Sequence, residues 1–158
     1  MEGIIHIRID DRLIHGQVAT LWTNELGATR IMVINDEVAN NEIQKAMLRM
    51  AAPSNVSTSL ITEEKAVNNI NNGNYKGQKV LVIVKNPETI VRLMDQGLDI
   101  KKINVGNMST RENTHHIKPS VSITPEEEQA FRVLLDRGVE ITAVMVPTDK
   151  MVYLKDLI

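Results

Sequence analysis

Short aliphatic runs recur along the chain, and longer segments with helical spacing of apolar residues separate them. Runs rich in Val and Ile are typical of strands. The run at 79–84 is almost wholly aliphatic, as expected of a central strand covered on both faces. These patterns predict about seven strands, at 4–9, 30–34, 56–61, 79–84, 102–105, 121–123 and 139–146.

The segments between these runs repeat apolar residues every three or four positions, which is the spacing of one helix face. The first helix carries Val18, Leu21, Trp22 and Leu26 and stops at Gly27. The same spacing predicts about four further helices, at 38–52, from 63 into the polar stretch 68–74, at 87–96 and from 125 to Gly138.

The positions of some side chains in these helices and strands predict a structural role rather than a functional one. Three methionines at helical spacing are expected in the core rather than in a partner-binding groove: Met47, Met50 and Met94. His6 lies among the isoleucines of the first strand and is interpreted as structural. Thr124 and Pro125, followed by three glutamates, form a typical helix start, with a capping hydroxyl and acidic residues at the positive end of the dipole.

Strands that alternate with helices indicate an α/β fold. We predict a single domain over 1–158 with a doubly wound, mostly parallel open sheet and helices on both faces. The carboxyl ends of parallel strands face one crevice, where ligands bind. Polar residues follow several predicted strands and are expected there: Asp10-Asp11, Asn35-Asp36, Lys85-Asn86 and Gly106-Asn107.

Composition narrows the classes of function. The net charge is −2 without a basic block, and aromatic residues are few, which argues against nucleic-acid binding. Cysteine is absent, so disulfides and thiolate chemistry are excluded. No nucleotide-binding glycine loop occurs, and we expect neither a cofactor nor a metal. No apolar run is long enough for a membrane span and there is no signal peptide, which predicts a cytoplasmic protein.

The residues best suited to chemistry lie together in the loop between the first strand and the first helix. His15 lies at the helix start, where the backbone N–H groups of Gly16 and Gln17 are free to bind an anion. Arg12 offers a planar fork for phosphate oxygens. Asp10 or Asp11 is a candidate to orient the imidazole and fix its tautomer. These residues favour a phosphoryl group carried on His15.

Other interpretations of this loop stay open. A histidine near a helix start is often a cap or a surface residue, and Arg12 is often an exposed ion-pair partner of an aspartate. Asp10, Asp11 and His15 are also candidate ligands of a metal-dependent hydrolase. The same helix start also fits a non-catalytic module that binds a phosphorylated metabolite.

The segment 8–18, RIDDRLIHGQV, closely resembles the active-site signature of enzyme IIB of the mannose/fructose/sorbose family of the bacterial phosphoenolpyruvate-dependent sugar phosphotransferase system. The resemblance continues at NDEVAN (35–40), MAAP (50–53), EKA (64–66) and VGNM (105–108), so it covers essentially the whole chain. The first segment is specific, and the later ones carry weight together.

The resemblance implies that His15 receives a phosphoryl group from a phosphohistidine of enzyme IIA. It would pass the group to a sugar that enters through membrane subunits IIC and IID, as a protein-histidine–sugar phosphotransferase. It implies that Arg12 stabilises the group and that Asp10 is an acidic residue of the same loop. It also implies an antiparallel edge strand in the sheet and recruitment to the inner face of the cell membrane.

Several points are left open by the sequence. Secondary site candidates are Asp11, Asn35, Asp36, Asn107 and Arg111. The polar stretch 106–120 is predicted to be a loop in which His115 and His116 are solvated. Their functional alternative is to join Arg111 and Lys118 in contacting the phosphoryl group or a partner. The sugar, the reacting nitrogen of His15 and the oligomeric state, including a homodimer, stay undetermined.

Overall fold

Six strands form one parallel sheet in the computed structural model, which describes residues 1–158. The strands are β1 (Ile4–Asp10), β2 (Arg30–Ile34), β3 (Ser57–Ile61), β4 (Val80–Val84), β5 (Lys102–Asn107) and, after a hairpin, β8 (Glu140–Thr142). Their order is β3-β2-β4-β1-β5-β8. The two aliphatic strands β1 and β4 therefore lie at the centre, and all five residues of β4 are buried, as its composition predicts.

Helices cover both faces of the sheet. They are α1 (Gly16–Leu26), α2 (Asp36–Ala39), α3 (Glu42–Ala51), α4 (Glu63–Asn71), α5 (Pro87–Asp95) and α6 (Pro125–Asp136), and a 3-10 turn follows at Leu154–Asp156. Buried residues of α1, α2 and α3 pack with Ile31, Val33 and Leu81, whereas those of α4, α5 and α6 pack with Met32 and Val82. Alternation along the strands thus divides the core into two layers. The doubly wound α/β fold is confirmed, and no helix is both long and apolar enough to span a bilayer.

The predicted polar loop at 106–120 is partly wrong. It contains β6 (His115–Lys118), which pairs antiparallel with β7 (Val121–Ile123) in a separate two-stranded sheet. Because β6 is half-exposed and polar, it lacks the apolar run that marks a strand. Antiparallel pairing is confined to this hairpin and to a single bridge between Thr142 and Tyr153 at the sheet edge.

The predicted helix at 38–52 is divided into α2 and α3. The side chain of Asn41 accepts a hydrogen bond from the Gln44 amide at 3.0 Å and caps α3, so the helix begins anew there. The assignment of Met47 and Met50 to the core is wrong, because their side chains are 65% and 86% exposed. Spacing alone shows that a helix has an apolar face but not which neighbour covers that face.

Candidate active site

The β1–α1 loop is anchored by two residues that directly precede His15. Leu13 adopts a left-handed backbone (φ 62°), its amide donates to the Asp10 carbonyl at 2.9 Å, and its side chain is buried. Ile14 is buried as well. The loop backbone is therefore fixed by two apolar side chains next to His15, although a left-handed leucine carries a strain of about 1 kcal/mol or more.

His15 itself is exposed and occupies the N-cap position of α1. Its carbonyl accepts the Ala19 amide at 2.8 Å, but its ring makes no capping hydrogen bond. The amides of Gly16 and Gln17 belong to the first turn of α1, where N–H groups lack an acceptor within the helix. The imidazole is therefore open to a partner beside an electropositive helix start.

Asp10 is buried and fully engaged by arginines. Its carboxylate accepts hydrogen bonds from the amide (3.0 Å), Nε (3.0 Å) and Nη2 (2.9 Å) of Arg12, and from Nη2 of Arg8 at 3.2 Å. The bidentate hydrogen bonds that Arg12 donates to Asp10 raise the pKa of Arg12. Asp10 makes no hydrogen bond to His15. Of its two predicted roles, orientation of the loop or of the imidazole, its contacts with Arg12 favour the loop.

Arg8 is a member of this cluster that sequence reasoning missed. Its guanidinium is buried, donates to the Val144 carbonyl at 3.3 Å and lies 5.3 Å from the centre of the Trp22 ring. Burial lowers the pKa of Arg8 and Asp10 opposes that shift. A Cβ added to Gly106 would collide with this guanidinium, which explains a glycine there. The signal in the sequence was an arginine two residues before Asp10 and therefore on the same face of β1.

Asp11 faces the end of β5 rather than the imidazole. Its carboxylate accepts hydrogen bonds from Asn107 Nδ2 (3.0 Å), the Ser109 amide (2.7 Å) and Ser109 Oγ (3.0 Å). The Asp11 amide in turn donates to the Asn107 carbonyl at 3.1 Å. Two secondary candidates, Asp11 and Asn107, are thus brought together, with Ser109 as a third member that the sequence did not single out. They fasten the histidine loop to the neighbouring strand.

Asn35 and Asp36 cap helices. The Asn35 side chain accepts the Val38 amide at 3.0 Å, and Asp36 accepts the Glu63 amide at the start of α4 at 2.8 Å. Both line a separate polar groove, together with Lys85 and Arg92. The structure therefore gives Asn35 and Asp36 a structural role beside the ends of β2 and β4.

Arg111 is committed to α6. It binds both oxygens of the buried Glu127 carboxylate at 3.0 Å, and it also donates to the carbonyls of Ser122 (3.0 Å) and Ser109 (2.9 Å). The hydrogen bonds that Arg111 donates to Glu127 raise the pKa of Arg111. All three of its guanidinium nitrogens thus donate to acceptors within the protein, whereas the sequence offered Arg111 as a secondary candidate for contact with the phosphoryl group or a partner.

The two histidines of the hairpin point to different partners. His115 Nε2 lies 3.6 Å from the Glu128 carboxylate, whereas His116 Nε2 lies 3.1 Å from Thr110 Oγ1. Such divergence is expected of neighbours in a strand. Lys118, proposed to join them, donates to the Ala143 carbonyl at 2.8 Å instead.

The structure does not gather the predicted ligands of a metal-dependent hydrolase. No group of three or more carboxylates and histidines is placed to hold a metal ion. The oxygens of Asp10 are bonded to Arg8 and Arg12, and those of Asp11 are bonded to Asn107 and Ser109. Two arginines at one carboxylate would also repel a cation.

Comparison with known proteins assigns a family. A family model described as the PTS system sorbose subfamily IIB component matches residues 4–158. The chain belongs to this family. The resemblance seen in the sequence is thereby confirmed.

Individual relatives agree with this assignment. The sorbose-specific EIIB component of Klebsiella pneumoniae is 38% identical over 151 residues, which are 96% of this chain and 92% of that protein. The mannose-specific EIIAB component of Escherichia coli (strain K12) is 39% identical over 151 residues, which are 96% of this chain but 47% of that protein. This IIB chain therefore spans about half the length of the mannose relative.

A solved structure extends the agreement to the fold. The crystal structure of the IIBSor domain of the sorbose permease from Klebsiella pneumoniae superimposes with a TM-score of 0.92 at 37% identity, covering 99% of this chain and 96% of that one. The α/β fold described above is therefore the fold of PTS IIB components.

Proposed function

We propose that His15 is a phosphoryl relay. It accepts the group from a phosphohistidine of a IIA protein and gives it to a sugar that is delivered through membrane subunits IIC and IID. The observation that carries this proposal is an exposed imidazole at the N-cap of α1, on a loop whose arginine is held by a buried carboxylate. The family membership of the chain supports the sugar phosphotransferase system as its setting.

The chemistry needs one nucleophile and stabilisation of charge. A neutral nitrogen of His15 attacks phosphorus, a P–N bond forms, and the P–N bond of the donor breaks as the donor imidazole leaves. In the second step a sugar hydroxyl attacks, the P–N bond to His15 breaks, and the hydroxyl loses its proton to a base. Both transition states spread negative charge over three oxygens, so positioning and electrostatics supply most of the catalysis.

Arg12 is arranged to supply that stabilisation. Asp10 binds its Nε and Nη2, so one edge of the guanidinium is fixed, while Nη1 makes no hydrogen bond. We propose that Nη1, with the Gly16 and Gln17 amides, binds the oxygens of the phosphoryl group. Arg8 supports this geometry because its Nη2 donates to the same Asp10 carboxylate at 3.2 Å.

The space around the ring favours a carrier over a module that binds a phosphorylated metabolite. The cavity lined by His15, Asp10 and Leu13 has a volume of only about 10 Å³. Pockets that enclose small molecules typically measure 300–1,000 Å³. A ring on an open surface is instead accessible to a second protein that brings the phosphoryl group with it.

The proposal is tested by following phosphate from phosphoenolpyruvate through the general phosphotransferase proteins and a IIA partner onto this chain. We expect an acid-labile phosphate on the wild type and on His116→Ala, a control that removes another solvent-accessible ring. His15→Ala should carry none. Equal labelling of His15→Ala would refute the relay role.

A further inference from the structure

Helix α3 presents a stripe of apolar side chains to solvent. Ile43 is 77% exposed, Met47 65% and Met50 86%, and Ala46 is exposed beside them. Their spacing of three and four residues places them on one face of the helix. The only buried residue of α3 is Leu48. Single exposed hydrophobic residues are ordinary, whereas several on one face of a ten-residue helix indicate an interaction site.

This α3 stripe is continuous with the reactive loop. The helix ends at Ala51, directly after Met50, and the Ala51 carbonyl lies where a Cβ on Gly16 would meet it at 3.5 Å. Gly16 is the neighbour of His15 and the first residue of α1. Any protein that brings a phosphohistidine up to His15 therefore approaches beside the Met50 end of the stripe.

We infer that the α3 stripe is the docking surface for the protein that donates the phosphoryl group to His15. The inference rests on the proposed relay function. Transfer between two imidazoles requires the surfaces around both rings to meet, with the reacting atoms about 3–3.5 Å apart. Apolar contact on one side of His15 supplies attraction there while leaving Arg12 and the helix-start amides free for the phosphoryl group.

The size of the stripe favours a transient complex over a second copy of this chain. The seven steps from Ile43 to Met50 rise by about 10 Å along the helix. A standard stable interface covers about 800 Å² on each partner, far more than this stripe offers. A donor must also leave after each transfer so that the sugar can reach the same histidine.

Charge distinguishes a soluble donor from the membrane. Arg49 flanks the stripe and makes no ion pair, whereas Lys45 is engaged by Glu42 at 3.4 Å. One free arginine complements an acidic side chain on the rim of a protein face. It disfavours the cytoplasmic loops of a membrane subunit, which carry excess Lys and Arg. An anionic lipid surface is recognised by clusters of about four to eight basic residues, which α3 lacks.

The test compares two phosphoryl donors. Met47→Glu and Met50→Glu each place a charge in the stripe while keeping a good helix former. Ile5→Glu is the matched control, because Ile5 is 40% exposed on β1 but lies at its amino end, remote from His15. We expect the stripe variants to raise the KM for a phosphorylated IIA protein about tenfold, which corresponds to about 1.4 kcal/mol. Labelling of His15 by phosphoramidate, a small donor, should be unchanged in all variants.

The outcomes separate the inference from the proposed function. Unchanged KM values for the IIA donor in both stripe variants would overturn the inference while leaving the relay intact. Equal losses with IIA and with phosphoramidate would also overturn it, since the site itself would then be disturbed. A shift from dimer to monomer in sedimentation of the variants would identify a second copy as the occupant instead. Failure of the wild type to be labelled on His15 by either donor would refute the relay.

Discussion

Two arginine–carboxylate pairs lie at the ends of the neighbouring strands β1 and β5. They differ in whether a guanidinium nitrogen is left without a hydrogen bond. Arg12 is held bidentately by the buried Asp10, and its Nη1 has no partner. Arg111 is held bidentately by the buried Glu127, but carbonyls engage it as well, so each of its guanidinium nitrogens is bonded. The first pair leaves a donor free on the loop that carries His15, and the second braces a hairpin against α6. An unused donor, more than burial or pairing, marks the arginine suited to bind an incoming group.

The largest effect is expected at Arg12. Arg12→Ala should slow phosphoryl transfer about 10²–10³-fold, since a preorganised donor to a charged transition state is lost. The fold should persist, because Arg8 still neutralises Asp10. The effect is measured as the rate of transfer from phosphorylated IIA. Arg12→Lys keeps the charge but loses the planar guanidinium, so its rate should lie between those of the wild type and Arg12→Ala. If Arg12→Ala transferred phosphate at the wild-type rate, Arg12 would have no role in transfer and would not differ from Arg111 in this respect.

Arg111→Ala should show the opposite profile. It leaves the carboxylate of Glu127 buried without its charge partner, and we expect the free energy of unfolding to fall by about 3 kcal/mol. The phosphoryl transfer rate at a temperature where the variant is folded should match the wild type. Urea denaturation and the transfer assay together provide the measurement. A slow variant of normal stability would place Arg111 in the reaction after all.

Gly106→Ala tests whether the Arg12 pair depends on the buried Arg8. The new methyl group would occupy the place of the Arg8 guanidinium, so we expect a loss of about 2–3 kcal/mol in the free energy of unfolding. Transfer should also slow, because Asp10 loses its second support. Combining Gly106→Ala with Arg8→Leu should cost less than the sum of the single changes, since the two residues are in contact. Simple additivity would contradict the assigned contact.

The smallest effect concerns His6, on the same face of β1 as Arg8. Its ring stacks on Trp22 at 4.8 Å, and burial, then the charges of Arg8 and Lys102, lower its pKa from 6.5 to about 4. At a pH between about 4 and 6.5, His6 binds a proton in the unfolded chain but not in the folded chain. Stability should therefore be unaffected at neutral pH and fall as the pH drops from about 6.5 toward 4, by about 3 kcal/mol at pH 4.

His6→Phe keeps a ring on Trp22 and removes the titrating group. The difference in unfolding free energy between the wild type and this variant should change between pH 4 and pH 6.5 and stay constant above that range. A difference independent of pH would show that His6 does not titrate as described.

Local signals in the sequence were sufficient for much of the fold. Gly27 ends α1 in the left-handed conformation, and Thr124 and Glu127 form a complete capping box at α6. These motifs depend on residues within a few positions of each other, so they can be found without the tertiary structure. The central strands were found because both faces of them are buried.

The predictions that failed depended on contacts between segments that are distant in the sequence. Met47 and Met50 have the spacing of a core face, but no element covers them. From the sequence alone, Arg8 is expected on the surface of a strand. In the folded chain its guanidinium is buried against Val144 and Gly106. At the site, the sequence selected the loop residues, but the partners of Asp10 and Asp11 depend on side-chain directions that only the folded chain defines.

The most direct test of the relay is to observe the four imidazoles during phosphorylation. Long-range ¹H–¹⁵N NMR of the ring nitrogens, with ³¹P detection, follows His6, His15, His115 and His116 separately. We expect a single phosphorylated ring nitrogen on His15, with signals that revert when a sugar acceptor system is added. Phosphate on His115 or His116, or no change at His15 while phosphate is transferred, would contradict the account.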